Sequence, residues 1–470
     1  MADELSLLSN ESTDLQTLLN ISQDYANKEQ YSYNPLKSEI ANLGNADVER
    51  EVGYINSEPI FYGSSVTHLG IKHSNEKPTN NTFVINKISL LYKVTYSLMG
   101  TGFHGWNGIG PESAIHIYNC YVLPRFMYGM CVMSLSTQQI DKLESAHRSI
   151  LRQIQCLPKR TAKAAIYLLI GALPFEALLN LSQLSLLNNI IFSNNPTMVN
   201  LLTRQIATKS FQSKSWFINI CKILNKYKLP TLSQLLCTSS SKITMKNMFK
   251  KAVHEYWSNQ LKEECYGKIT VAYINIESLS TRQCHPVWRT VNSNLYDIQR
   301  ATVKVKLLTD TYVLQKHIHK FSRSENDDLC NLCLLETEDR EHFLLNCSAL
   351  FEVREIWLKK IKEYIIQKAG SKTWCYVREN DSMLMTLLLD CSSLQSKIDG
   401  LVKEDFAELE CLSRIYCYKL HLLRSQLLVQ QLLEKKQGDS RISKYLIPYK
   451  THKHNEKNLH HRLMGHQNKQ

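Results

Sequence analysis

The stretch STQQIDKLESAHRSILRQIQCLP, residues 136–158, is the clearest structural signal in this sequence. Ser136 and Gln139 have the spacing of a capping box at the start of a helix, and Pro158 ends the pattern. Between them, apolar residues recur at intervals of three and four, which predicts one packed helical face. The members of this face are Ile140, Leu143, Ile150, Leu151 and Ile154. The helical pattern extends from about 112 to 195, so we predict a mainly α chain.

Towards the C-terminus, the same spacing predicts two further helices, near 350–367 and near 405–435. The glycine-rich segment GTGFHGWNGIG, residues 100–110, predicts a turn, since no phosphate-binding Gly-Lys-Ser/Thr follows it. Residues 196–280 are polar and less regular, and their pattern alone indicates no definite elements. The last twenty residues are rich in histidine and predict a disordered basic tail.

The N-terminal region has a different pattern and predicts a small α+β unit. LSLLS, residues 5–9, predicts a short strand. Thr13 and Gln16 have capping-box spacing and precede an amphipathic helical pattern. Residues 31–40 return to an extended, alternating pattern. The expected order is therefore strand, helix, strand.

A possible metal centre lies in CNLCLLETEDREHFLLNC, residues 330–347. Its spacing is Cys330-x2-Cys333-x8-His342-x4-Cys347, which offers three thiolates and one imidazole, the closed shell of a structural zinc site. A tight turn would direct the two cysteines at one ion, and a short helix from EDREHFLLN would add the other two ligands. Zinc binding contributes about 10–16 kcal/mol, so a module of this size could fold with little core. Unrelated buried cysteines or a redox pair are the alternatives.

The remaining cysteines form no second CxxC pair, and we interpret them as core thiols. No signal peptide is evident, because the first ten residues, MADELSLLSN, carry two acids and no basic segment. No apolar run approaches the roughly 20 residues that would span a bilayer. We therefore expect an intracellular protein, nuclear or cytoplasmic, in a reducing compartment that leaves cysteines as thiols or metal ligands.

The charge balance favours a polyanionic partner. The formal net charge is +13, and 43% hydrophobic residues exclude a disordered composition. Residues 145–175 carry five Arg or Lys and no acid. A basic stripe beside a packed apolar face suits contact with a phosphate backbone, although an ordinary exposed face is the alternative. The candidate contacts are Arg148, Arg152, Lys159 and Arg160.

Read in order, several motifs resemble the later part of a non-LTR (LINE-like) retrotransposon reverse transcriptase. MADELSLLS resembles the palm motif Tyr/Phe-Ala-Asp-Asp, with Asp3 matching and Glu4 in place of the second Asp. NPLKSE, residues 34–39, resembles the next palm motif, and THLGI, residues 67–71, the motif that closes the palm. VLPRFMYG and LRQIQCLP resemble the helical thumb. KVKLLTDTYVLQKHIHKF and the cysteine-histidine segment resemble the C-terminal zinc-knuckle region.

This resemblance implies RNA-directed DNA polymerase chemistry in the parent enzyme. Asp3 and Glu4 would hold Mg²⁺, and Lys37 would lie near the phosphates of the incoming nucleotide. Two-metal phosphoryl transfer also needs a carboxylate from a neighbouring strand, which in the family comes earlier in the chain. We therefore expect a truncated polymerase that is not catalytic by itself but still binds RNA and DNA, such as a template-primer duplex, with Zn²⁺ in the knuckle.

The resemblance divides the chain into segments. The predicted order is 1–72 partial palm, 73–200 thumb-like helical domain, 201–325 helical or irregular connector, 326–355 CCHC zinc knuckle, and 356–470 C-terminal helices with the basic tail. Two other functions stay open. The chain is either a non-catalytic zinc-knuckle protein that binds RNA or DNA, or a helical interaction protein whose zinc is purely structural. No membrane partner is expected.

Overall fold

In a computed structural model of the chain, part of the sequence is described. The described residues are 5–42, 53–63, 65–74, 80–105, 108–193, 195–210, 212–213, 215–237, 240–292, 294–321, 328–395, 397–398 and 400–436. The chain divides into two compact units. Unit 1 comprises Met1–Ala272 and Ile276–Ile298, and unit 2 comprises Tyr273–Asn275 and Gln299–Gln470.

The N-terminal part of unit 1 contains one helix and six short strands among the described residues. Their bounds are α1 Ser12–Lys28, β1 Glu39–Ala41, β2 Tyr54–Ile55, β3 Glu58–Pro59, β4 Phe61–Gly63, β5 Ser65–His68 and β6 Ile71–Ser74. β1 pairs with β4 in parallel, while β2–β3 and β5–β6 are antiparallel hairpins. A small core of Leu19, Ile55 and Ile60 joins α1 to these strands.

Three N-terminal predictions are corrected. Residues 5–9 form no strand, and no described strand pairs with them. The capping box at Thr13 is absent, because α1 begins at Ser12 and the Gln16 side chain contacts Tyr54. Gln16 Nε2 donates to Tyr54 O at 2.9 Å, and Gln16 Oε1 accepts from Tyr54 N at 2.8 Å. The extended segment 31–40 is interrupted by a 3-10 turn at Pro35–Lys37. Local spacing assigned the Gln16 side chain to a capping box, but this side chain instead makes a tertiary contact with the Tyr54 backbone.

The rest of unit 1 is helical. The helices are α2 Asn80–Ser97, α3 Pro111–Ile117, α4 Leu123–Met127, α5 Thr137–Ile154, α6 Lys163–Ile170, α7 Phe175–Ile191, α8 Pro196–Thr208, α9 Trp216–Lys226, α10 Leu232–Cys237, α11 Lys242–Cys265 and α12 Pro286–Arg289. A π-helical segment, Tyr118–Val122, joins α3 to α4. One core buries residues of α7 to α11, including Leu184, Ile220 and Phe249.

The helix predicted over 136–158 is confirmed as α5, and Gln139 Oε1 accepts from Ser136 N at 2.9 Å. The turn over 100–110 is confirmed for its described residues. A Cβ on Gly108 would lie 1.8 Å from Gly102 O, so the close approach requires glycine there. Residues 196–280, whose sequence pattern indicates no definite elements, are largely helical where the structure describes them. Segments of that region form α8 to α11, whose apolar residues are buried against α7.

Helix α13, Leu295–Leu308, contains the boundary between the units. Unit 2 continues with α14 Gln315–Phe321, α15 Phe351–Ala369, α16 Ser371–Arg378, α17 Asp381–Leu389 and α18 Lys403–Lys436. The predicted helices near 350–367 and 405–435 are confirmed as α15 and α18. Together with unit 1, they confirm the mainly α fold with a small N-terminal β region.

Unit 2 buries charged side chains in pairs. Lys304 on α13 lies 2.7 Å from Glu410 on α18, and both side chains are fully buried. Lys304 Nζ also donates to Ser413 Oγ at 2.5 Å. Pairing and hydrogen bonding offset the desolvation cost of burying such charges. The Lys304–Glu410 pair therefore contributes to the packing of α13 against α18.

Among the described residues, no single helix is both long and apolar enough to cross a membrane. One bent pair, Lys163–Ile170 with Phe175–Ile191, meets the length and composition criteria together, with a bend of 56°.

Candidate metal centre

The loop before α15 brings the four predicted metal ligands together. Their ligand atoms all lie within 4.8 Å of one another. Cys330 Sγ is 3.8 Å from Cys347 Sγ, and Cys333 Sγ is 3.3 Å from His342 Nε2. Cys330, His342 and Cys347 are buried, while Cys333 is half-buried. The group can therefore bind a metal ion.

Local backbone geometry explains how the spacing converges. Cys330 N donates to Glu336 O at 2.8 Å, and Leu334 N donates to Cys330 O at 2.8 Å, which closes the turn that carries both early cysteines. The backbone of His342–Asn346 forms the short helical turn that the sequence predicted, as a π-helix. Cys347 N then donates to His342 O at 2.8 Å. The two halves of the ligand set are thus held by backbone hydrogen bonds.

The thiols of Cys330 and Cys347 change each other's pKa. The pKa of Cys330 is lowered to about 4, mainly by the hydrogen bond with Cys347 and in part by the backbone N–H groups of Cys333 and Leu332. The same contact, with burial, raises the pKa of Cys347 well above its ordinary value. The close contact between the two sulfurs therefore opposes the ionisation of both at once. A bound cation would let both sulfurs ionise, because metal ligation requires the thiolate form.

Glu336 orients the imidazole. Its Oε2 lies 2.9 Å from His342 Nδ1, so Nε2 is the nitrogen directed at the thiols. His342 N also donates to Asp339 Oδ1 at 3.0 Å. A carboxylate on the far nitrogen fixes the tautomer and ring orientation of a ligating histidine. Sequence reasoning missed Glu336, although the acidic run ETEDRE between the ligands was a signal that could have found it.

A buried ion pair fastens the loop to α18. Arg424 Nε donates to Glu338 Oε1 at 2.7 Å, and Arg424 Nη2 donates to Oε2 at 2.9 Å. Glu338 Oε2 also accepts from Gln315 N at 2.8 Å. The side chains are 10% and 2% exposed for Arg424 and Glu338. A bidentate pair of this kind fixes geometry as well as distance.

A second arginine binds the loop's carbonyl groups. Arg354, buried on α15, donates through Nε to Leu344 O at 3.0 Å and through Nη2 to Cys347 O at 2.8 Å. Tyr416 on α18 donates to Leu344 O at 2.5 Å. Phe343 and Leu344 are buried as well. The loop is therefore part of the core of unit 2, and not a separate module with little core as its size predicted. No sequence spacing connects residue 354 or 424 to the loop.

The predicted catalytic residues belong to the N-terminal part of the chain. Asp3 and Glu4 lie outside the described residues. Lys37 is exposed at the end of the 3-10 turn Pro35–Lys37, in the other unit. The residues of THLGI form parts of β5 and β6 and the turn between them, with Leu69 and Gly70 at positive φ.

The predicted basic stripe is partly withdrawn from solvent. Arg148 and Arg152 on α5 are half-buried, and Arg152 Nη2 donates to Ser149 Oγ at 3.2 Å. Lys159 and Arg160 are exposed in the turn after α5. The exposed positive charge of this segment therefore lies beyond the helix.

The interpretation of the other cysteines as core thiols is right for some and wrong for others. Cys265, Cys391 and Cys417 are buried, and burial raises their pKa values. Cys120, Cys237 and Cys375 are exposed. The sequence spacing around the three exposed cysteines did not distinguish them from the buried cysteines.

Comparisons with known proteins gave no relative: no protein-family model, no curated protein and no solved structure matches this chain.

Proposed function

We propose that this chain is a nucleic-acid-binding protein whose C-terminal unit is stabilised by structural zinc, of the kind that forms the later part of a non-LTR reverse transcriptase. The observation that supports this proposal most directly is that four ligand atoms lie within 4.8 Å of one another. They belong to Cys330, Cys333, His342 and Cys347. The ordered series of palm-like, thumb-like and knuckle-like motifs supports the relationship. The net charge of +13 supports a polyanionic partner.

The ligand distances fit zinc. Two thiolates about 2.3 Å from a tetrahedral zinc ion lie about 3.8 Å apart, and a thiolate and an imidazole about 3.6 Å apart. The corresponding separations are 3.8 Å for Cys330 and Cys347 and 3.3 Å for Cys333 and His342. Four protein ligands leave no open position for a reactive water, so the proposed role of zinc is structural. Zinc would hold the loop closed against α15 and α18.

Binding, and not polymerisation, is the activity we propose. Of the residues that the resemblance implies for catalysis, only Lys37 is described, and it lies in an exposed turn. A two-metal reaction needs carboxylates from neighbouring strands around both ions. Primer extension by the purified chain with Mg²⁺ tests this directly. We expect no nucleotide incorporation, and clear incorporation would overturn the non-catalytic assignment.

The binding proposal is tested with labelled RNA and DNA at increasing salt. We expect the logarithm of affinity to fall linearly with the logarithm of salt concentration, as counterion release requires. Elemental analysis should find about one zinc per chain. Cys330→Ser with Cys333→Ser should remove the zinc and weaken RNA binding, whereas Cys120→Ser with Cys375→Ser, at exposed non-ligand thiols, should do neither.

Two outcomes would contradict the proposal. Absence of measurable affinity for RNA and DNA at about 50 mM salt would favour a helical interaction protein instead. If the variant with Cys330→Ser and Cys333→Ser loses zinc but binds RNA with full affinity, unit 2 does not take part in the proposed nucleic-acid binding.

A further inference from the structure

A group of aromatic and basic side chains lies on segments of unit 1 other than those of the predicted basic stripe. We call Lys87, Tyr121, Arg125 and Tyr128 the Tyr121 strip. Arg125 contacts Tyr121, and Lys87 contacts Tyr128, with both tyrosines within eight residues of each other along the π-helical segment and α4. Tyr121 and Tyr128 are 43% and 54% exposed, and Arg125 is exposed too. Large exposed aromatics on a helical surface point to an interaction partner.

Arg125 is held flat against Tyr121. Its guanidinium carbon lies 3.7 Å from the centroid of the Tyr121 ring, and Nη1 donates to Tyr121 O at 2.8 Å. On the opposite face of the same segment, Val122 and Phe126 are buried at 1% and 0% exposure. The stacked pair is therefore carried on an anchored backbone. One planar face of the pair is already ordered before any partner arrives.

Tyr128 is fixed at two points while its ring stays exposed. Tyr128 OH donates to Leu69 O at 2.6 Å, in the turn between β5 and β6. Lys87 Nζ donates to Tyr128 O at 2.6 Å and lies 5.7 Å from the Tyr128 ring centroid. Partial burial of Lys87 lowers the pKa of its ammonium group. The Tyr128 hydroxyl therefore has a hydrogen-bond partner within the protein. The face of the Tyr128 ring is the part that stays available to a partner.

The charge of this region favours an anionic partner. Residues 77–140 contain a single acid, Glu112, and four Lys or Arg: Lys77, Lys87, Lys93 and Arg125. Surfaces of soluble proteins usually mix both signs, whereas the segments that carry the strip are poor in acids. Planar aromatic and guanidinium faces stack on nucleobases, and nearby cations contact the phosphates. Stacking needs unpaired bases, because a duplex hides the base faces.

We propose that the Tyr121 strip is a stacking platform for single-stranded nucleic acid, with bases on Tyr121 and Tyr128 and phosphates near Arg125 and Lys87. The inference rests on the proposed nucleic-acid binding and assigns it a surface and a preferred form of nucleic acid. It places this contact in unit 1 and not in the metal-bearing unit 2. An acidic protein surface is the competing partner, and it would need no bases.

The test compares single-stranded RNA of about 10 nucleotides with a duplex of the same length, both labelled, on the full chain. Tyr121→Leu should weaken single-strand binding about 5- to 100-fold, the range for losing one base stack, and duplex binding by less. Tyr121→Phe keeps the ring and should bind within about twofold of the unchanged chain. Tyr376→Leu, at a 52% exposed tyrosine on α16, is the matched control and should leave binding unchanged.

The variants also separate stacking from charge. Arg125→Lys keeps the charge but loses the planar stack, so we expect weaker single-strand binding with an unchanged salt slope. Thermal unfolding and metal content should stay the same in all variants.

If Tyr121→Leu binds single strands as tightly as the unchanged chain, the strip is not the platform, while the proposed function stands. Equal losses for single strand and duplex would overturn the assignment to unpaired bases. If the unchanged chain binds neither RNA, the strip proposal falls together with the proposed function.

Discussion

Replacement of Arg424 by Met is expected to destabilise unit 2 strongly, because it removes one partner of a buried ion pair. Glu338 is 2% exposed and receives two hydrogen bonds from Arg424, at 2.7 and 2.9 Å. Afterwards its carboxylate would keep, among the contacts of the described residues, the hydrogen bond from the Gln315 N–H at 2.8 Å. Leaving a buried charge without its partner costs about 3–5 kcal/mol. Met matches the length of the arginine stem, so the loss should be mainly electrostatic.

The same substitution should weaken metal binding. Glu338 lies between the ligands Cys333 and His342, so the metal-bound loop must keep it docked. In the metal-free loop, the Glu338 carboxylate can move into water, which removes the cost of burying an unpaired charge. In that case, the cost falls on the metal-bound state and affinity drops about 10²- to 10³-fold.

Two measurements check this reasoning. Competition with a chromophoric chelator gives zinc affinity, and urea titration gives the free energy of unfolding. Arg378→Met, at an exposed arginine ending α16, is the control and should change neither. Adding Glu338→Gln to Arg424→Met should recover part of both losses, because the buried charge is gone. Unchanged zinc affinity in a destabilised Arg424→Met chain would refute the coupling of this pair to the metal loop.

Three further perturbations have expected outcomes. Glu336→Gln should lower zinc affinity about 10- to 100-fold in the same chelator competition, because His342 loses the carboxylate that orients it. Burial lowers the pKa of His421 from 6.5 to about 4, so the unfolded chain binds its proton first as the pH falls. The free energy of unfolding should therefore fall between about pH 6.5 and 4, by about 2 kcal/mol at about pH 5, and His421→Gln should remove this component in urea titrations. Lys304→Met alone should cost about 3–5 kcal/mol, whereas Lys304→Met with Glu410→Met should be near neutral or stabilising by the same measurement.

The helices that sequence predicted well are those whose signals are local. The capping-box residues Ser136 and Gln139 mark the start of α5, and the spacing of its apolar residues predicts its buried face. α15 and α18 were likewise predicted from the spacing of their apolar residues. The four metal ligands also reveal themselves by spacing, because backbone hydrogen bonds within the loop bring them together. Such features need no knowledge of distant residues.

The failures come from contacts between distant segments. Gln16 contacts Tyr54 instead of capping α1, which no local pattern encodes. The helices within 196–280 bury apolar residues against α7, and such contacts leave only a weak local pattern in the sequence. Arg354 and Arg424 support the metal loop from α15 and α18, and nothing in the spacing of the ligands identifies them.

Because the loop belongs to the core of unit 2, loss of the metal has a wider consequence than loss of a free knuckle. Phe343 and Leu344 are buried, and Arg354 donates to Leu344 O and Cys347 O, so we expect removal of Cys330 and Cys333 to disturb this part of the core as well. Weaker nucleic-acid binding by that variant would therefore reflect loss of the folded unit as readily as loss of a direct contact. Substitutions in the Tyr121 strip avoid this difficulty, since they alter an exposed surface in the other unit while the metal ligands stay in place.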